Sequence, residues 1–272
     1  MSRKGAIVAL LVAIMLLGNL GGTVGTALAA PQRVFPDIQL GHWAEKDIVE
    51  MKLKGVIAGF SDGKYHPNQS LSREQAVAML LRVVGLNGTK PKYSLAQHVG
   101  STGTDWHKEA SPWAREALAV AWEHGIIPEG DLTNFRPKDP VKRHEIAVFA
   151  IRAMGETMTA QKRIGTGITF KDAAAIPESS KGYVEVAVEK GIITGYADNI
   201  FRPGEVVTRL HIAPILERID TVEKKAGVKS ITGVVLVGPD LTGTMSVKKS
   251  TGGEKVLTVS KNVFVYDGRN TI

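Results

Sequence analysis

Cysteine is missing from all 272 residues. Its absence excludes thiolate metal sites, cysteine nucleophiles and disulfide staples, so stability must come from buried cores, which about 240 residues suffice to build. Aromatic residues are scarce, and no arginine- or lysine-rich tract exists beyond pairs such as Lys224-Lys225 and Lys248-Lys249. The formal charge of +7, or +5 without Arg3 and Lys4, is therefore mild and dispersed, which suits an anionic exterior polymer better than nucleic acid. The longest apolar run, Ala6 to Leu17, would span only about 18 Å as a helix, short of the roughly 30 Å hydrocarbon core. With Arg3-Lys4 before it and Ala27-Leu28-Ala29 after it, residues 1–30 read as a signal peptide, leaving an exported chain with no membrane insertion. No H-E-x-x-H, G-x-G-x-x-G or Walker loop is present, and the expectation is a protein without catalytic, cofactor or metal residues.

What is present is one statement made three times. Segments beginning at Gly55, Gly125 and Gly191 each carry an aromatic-x-Pro (Tyr65-His66-Pro67, Phe135-Arg136-Pro137, Phe201-Arg202-Pro203) and then an arginine (Arg73, Arg143, Arg209), at offsets of 70 and 66 residues. Self-similarity of this kind means one supersecondary unit reused.

Each copy holds two helical patterns. Ala44, Ile48 and Met51 match Ala114, Leu118 and Ala121, then Ser180, Val184 and Ala187; this spacing makes one helical face, closed by the glycine as C-cap. The second pattern runs Ala76, Met79, Leu80, Val83; Ile146, Phe149, Ala150, Ala153; and Ile212, Ile215, Leu216, Ile219. Ser72 with Gln75 forms a capping-box pattern and Thr208 takes the same cap position, whereas Lys142 loses it. Pro214 falls inside the third copy's second helix and predicts that it is the least regular. From Ile231 the pattern changes to short β-branched runs (231–237, 242–247, 255–259, 263–266) separated by turn residues, which predicts hairpin-connected antiparallel strands.

An arginine in the first helical turn opposes the macrodipole, so helix preference does not explain three of them. Two readings stand. In one, the guanidinium joins unpaired N–H groups of the helix N-terminus to form an anion site. In the other, each arginine pairs with a carboxylate of its own repeat, such as Asp37, Asp105 or Asp172.

Phe35-Pro36-Asp37, His42-Trp43-Ala44, Gly55-Val56-Ile57, Gly59-Phe60-Ser61-Asp62-Gly63, Tyr65-His66-Pro67 and Leu71-Ser72-Arg73-Glu74 together resemble the motif series of the S-layer homology (SLH) domain. The third copy matches through Phe170-Lys171-Asp172, Gly191-Ile192-Ile193-Thr194-Gly195-Tyr196 and Val207-Thr208-Arg209, and the likeness covers about residues 33–222. It implies a mainly α fold: three helix-loop-helix repeats (31–88, 89–158, 159–224) in pseudo-threefold arrangement around a central helical bundle, followed by a short β-rich segment (228–272). It also implies clefts that bind pyruvylated secondary cell-wall polysaccharide and so anchor an exported protein non-covalently at the cell wall.

Carried over by residue, the resemblance implies that Arg73, Arg143 and Arg209 meet the pyruvate carboxylate. Trp43 and Trp113 either stack a sugar face or pack a repeat junction as core. Asp37 and Asp172 either cap or brace the first helix or touch glycan; Gly59 and Gly195 either serve turn geometry or let the backbone approach a sugar. The first copy keeps most of the motifs, while Pro128 to Asn134 and Lys142 in the second, and Ser179 and His211 in the third, depart from them. On motif integrity Arg73 ranks above Arg143, with fewer than three strong clefts. The alternatives are a subunit of a self-assembling S-layer lattice, or an anchor for an enzymatic payload lying past residue 272. A calcium loop fits poorly, because "SDGKYHPNQSLSRE" lacks the repeated acidic ligands.

Overall fold

The structure is a computed structural model. It describes residues 33–92, 109–128, 135–163 and 167–223, together with the backbone of four strands. The described residues are mainly helical, with seven helices: α1 (Glu45–Leu53), α2 (Arg73–Val83), α3 (Arg115–Glu123), α4 (Arg143–Ala153), α5 (Thr157–Gln161), α6 (Glu178–Glu189) and α7 (Arg209–Glu223). The chain divides into two compact units, one of residues 1–54, 59–65 and 227–272 and the other of residues 55–58 and 66–226.

In the first unit, α1 buries Ile48 and Met51, the positions its periodicity marks. The strands β1 (Leu10–Ala13), β2 (Ile231–Val237), β3 (Thr244–Lys249) and β4 (Glu254–Thr258) form one sheet in that order. β2, β3 and β4 pair antiparallel. β1, which lies inside the stretch read as a leader, pairs parallel with β2. The expected strand over 263–266 lies outside the described residues.

In the second unit, α2 packs against α3, α4 and α7, and α4 against α6. Leu118 and Ala121 on α3, Val184 and Ala187 on α6, and Ile212, Leu216 and Ile219 on α7 are buried completely. The glycines ending α1, α3 and α6 (Gly55, Gly125, Gly191) have φ of 71°, 69° and 68°, the left-handed cap that a residue without Cβ takes without strain. Ser72 and Gln75 form the predicted reciprocal box. Lys142 has no acceptor to cap α4, yet Glu145 keeps the other half by accepting from the Lys142 amide at 2.7 Å. α7 is the longest of these helices and runs through Pro214. Its apolar face is buried from Ile212 to Ile219, and packing of that face, more than propensity, sustains a helix in a folded chain.

The three copies are tied by a closed cycle of backbone bonds. Leu71 N–H donates to Val207 O, Val207 N–H to Val141 O, and Val141 N–H to Leu71 O, at 2.8–2.9 Å. A second cycle joins each second helix to the loop of another copy. The amides of Arg73 and Glu74 donate to Asp139 O and Pro137 O, those of Arg143 and His144 to Glu205 O and Pro203 O, and those of Arg209 and Leu210 to Gln69 O and Pro67 O.

Candidate functional site

The second cycle places the signature arginines. Because the first two N–H groups of α2, α4 and α7 already donate to loop carbonyls, the expected supply of unpaired helix N-termini is absent at these positions. Any anion recognition there falls to the guanidinium groups. The loops that cap the helices hold the middle residue of aromatic-x-Pro at positive φ in every copy: His66 at 55°, Arg136 at 45° and Arg202 at 58°. That left-handed state costs a non-glycine residue about 1–2 kcal/mol. It is set by tertiary bonds, and no glycine signals it in the sequence.

Asp172 supplies such bonds in the third copy. Its two carboxylate oxygens accept from the amides of Phe201 and Arg202, both at 2.7 Å, and Phe170 packs on Phe201 with ring centroids 5.5 Å apart. In the first copy Asp37 accepts from the Tyr65 amide at 2.9 Å, and Phe35 packs on Tyr65 at 5.2 Å. In the first and third copies the two motifs therefore form one brace, with the aspartate holding the aromatic-x-Pro loop. Asp105 lies outside the described residues.

Gly59 and Gly195 are needed for a steric reason. A Cβ on Gly59 would lie 2.5 Å from Cε1 of Phe35, and one on Gly195 would run into the Phe170 ring. Neither glycine has positive φ, so turn geometry is not what requires them. Gly195→Ala is expected to cost about 1–3 kcal/mol through overpacking, read as a drop in melting temperature; an unchanged melt would show that Phe170 moves aside freely.

The three arginines are not equivalent. Arg73 donates through Nε and Nη2 to Glu145 Oε1 at 3.0 and 2.8 Å, a carboxylate from the second copy and not from its own. Arg209 is 3% exposed and donates to Ala58 O at 2.6 Å. Arg143 donates through Nε to Phe201 O at 2.7 Å and through Nη2 to Thr194 O at 2.5 Å. Its guanidinium lies 4.9 Å from the Tyr196 ring centroid and 5.0 Å from that of Phe201. No carboxylate among the described residues pairs with it within ion-pair distance. Burial pulls the Arg143 guanidinium below its ordinary pKa, partly opposed by Tyr196 and Glu205. It is a poorly hydrated cation, which an incoming carboxylate stabilises more than a hydrated one.

Around it, the Tyr196 hydroxyl donates to Glu205 at 3.0 Å, and Arg202 lies over the same tyrosine ring, 4.0 Å from its centroid. His211, in the position that Glu145 holds in the second copy, bonds Thr208 Oγ1 through Nδ1, and burial lowers its pKa. Arg73 is thus paired with a carboxylate, whereas Arg143 meets backbone carbonyls and two rings.

Trp43 and Trp113 are 61% and 54% exposed, so neither packs a junction as core, whereas the neighbouring Ala44 and Ala114 are buried. A second arginine series escaped the sequence reading. Arg82, Arg152 and Arg218 recur at the same 70- and 66-residue offsets and donate to Val56 O, Ile126 O and Ile192 O at 3.3, 3.5 and 3.4 Å. The matching offsets were the available signal.

The S-layer homology domain model matches residues 34–77, 104–147 and 169–213. This is an S-layer homology domain protein with three tandem repeats. It is secreted and attached to the cell surface. Curated relatives include an amylopullulanase from Thermoanaerobacterium thermosulfurigenes, 33% identical over 68% of this chain and 9% of the relative. Exoglucanase XynX from Acetivibrio thermocellus is 33% identical over 67% of this chain and 16% of its own length. An S-layer protein from Bacillus licheniformis is 26% identical over 100% of this chain and 30% of its own. The chain thus spans less than a third of each. No helix among the described residues is long and apolar enough to cross a membrane.

Proposed function

We propose that the three SLH repeats form a pseudo-threefold module around a central bundle of α2, α4 and α7, and that this module binds pyruvylated secondary cell-wall polysaccharide. The binding anchors the exported protein without a covalent link or a membrane helix. The observation that carries this reading is Arg143: a partly buried guanidinium, close to two aromatic rings and bonded, among the described residues, to backbone carbonyls, matched to the fixed carboxylate of a pyruvate ketal. The cyclic bonds among the copies support the threefold arrangement. In this reading Trp43 and Trp113 are exposed sugar platforms, Arg73 and Arg209 contribute less than Arg143, and Asp37, Asp172, Gly59 and Gly195 hold the loops in shape without touching glycan. Signal cleavage near Ala30 would remove β1 from the sheet, and the module itself carries no catalysis.

The test is a pull-down of the leaderless chain with purified cell-wall sacculi, before and after chemical removal of the pyruvylated polymer. Binding is expected only before removal, with release by denaturant. Equal binding to stripped sacculi would exclude the pyruvylated polymer as the ligand. A lattice subunit is the second reading, favoured by the S-layer relative matched along the whole of this chain; concentration-dependent sheet formation by the chain alone would establish it.

A further inference from the structure

A cavity of about 240 Å³ lies between α2 and α3, and none of the signature arginines lines it. Ala78 and Leu81 of α2 and Ala117 and Val120 of α3 form its apolar wall. Arg82, Asn87, Thr89, Lys90, Trp113 and Glu116 line the rest, and Lys90 bridges to Glu116 at 2.7 Å with both side chains largely in solvent. An ion pair so exposed contributes little and gives way readily.

The equivalent place between α4 and α6 is filled. Shifting by the repeat offsets, Ala117 becomes Tyr183, Glu116 becomes Gly182 and Trp113 becomes Ser179. Tyr183 is 5% exposed, and Arg152, the counterpart of Arg82, lies 5.0 Å from its ring centroid. Gly182 leaves room for the chain just after α5, since a Cβ there would collide with the carbonyls of Ala160 and Arg163. One junction has therefore been plugged with an aromatic ring, and the other has kept a ring-sized space with an exposed tryptophan beside it.

We propose that the α2–α3 cavity is a second subsite that takes one neutral pyranose ring of the wall glycan. This rests on the reading that the chain binds such a polymer. The volume is below the usual range for drug-sized ligands, which suits a single ring. The chemistry matches a sugar: its C–H face packs on Ala, Leu, Val and the Trp113 ring, while its hydroxyls meet donors on Arg82, Asn87 and Lys90 and acceptors on Asn87, Thr89 and Glu116. At the mouth Lys90 and Glu116 offset each other, and the remaining cation, Arg82, donates to the Val56 carbonyl.

The test titrates isotope-labelled full chain with the methyl glycosides of N-acetylglucosamine and N-acetylmannosamine, following the Trp113 indole N–H and the Arg82 Nε–H by NMR. Saturable millimolar shifts at both are expected with at least one glycoside. Ala117→Tyr, which copies Tyr183, should weaken them at least tenfold, while the Arg143 Nε–H response to a pyruvylated glycoside stays intact. Trp113→Ala, at an exposed position, gives the same loss at Arg82 without threatening the fold. Unchanged shifts in Ala117→Tyr, or none with either sugar in the wild-type chain, would overturn the subsite. Loss of sacculi binding with these shifts retained would overturn the anchoring function and leave the subsite standing.

Discussion

Arg143→Ala is expected to weaken binding of a short pyruvylated glycan by roughly 10- to 150-fold, the equivalent of about 1.5–3 kcal/mol for hydrogen bonds to a charged group. Its melting temperature should fall little, since the carbonyls of Phe201 and Thr194 that it leaves can accept from water at the half-exposed site. Arg73→Ala should do the reverse. Its pair with Glu145 has side chains only 13% and 19% exposed, intermediate between surface and buried pairs, so breaking it should cost about 1–3 kcal/mol of stability. Affinity per folded molecule should hardly change. Calorimetric titration paired with thermal melts separates the two outcomes: a large affinity loss in Arg73→Ala with none in Arg143→Ala would restore the ranking by motif integrity. The same titration is expected to give fewer than three strong sites, because the three guanidinium groups have different partners.

Asp172→Ala should be the most destabilising of the single changes considered. It removes both acceptors that hold the amides of Phe201 and Arg202, and Arg202 is the left-handed residue whose strain those bonds offset. With the carboxylate part-exposed, the loss is about 2–4 kcal/mol, or roughly 5–15 °C in melting temperature for a unit of this size. Asp172→Asn keeps one acceptor oxygen and should lose about half as much. Urea unfolding gives the magnitude, and amide hydrogen exchange at Phe201 and Arg202 locates it. Because Phe201 O also receives the Arg143 Nε–H, glycan affinity should drop as well, even in the folded fraction. Full protection of both amides in the alanine variant would mean that Asp172 does not hold the loop.

Much of the module was legible because its signals are local. The positions i, i+3, i+4 and i+7 name a helical face whatever it packs against, so Ile48, Leu118 and Val184 could be assigned to the core from spacing alone, and Gly55, Gly125 and Gly191 as caps from their place after it. Repetition multiplied each weak signal by three and identified the arginines as a set. The sequence by itself therefore determined the repeat, its helices, its caps and its family.

What each arginine does was decided by contacts over 51 to 151 residues of separation. No local pattern specifies that Glu145 reaches Arg73, that Arg143 finds two rings, or that loop carbonyls from another copy take up the helix N-termini. Pro214 shows the same limit from the other side. A propensity predicts a weak helix, and burial of the face from Ile212 to Ile219 overrides it. Identical motifs became a carboxylate-paired, a carbonyl-bonded and a buried cation because charge and solvation depend on what surrounds a group in space, and those neighbours come from distant parts of the sequence.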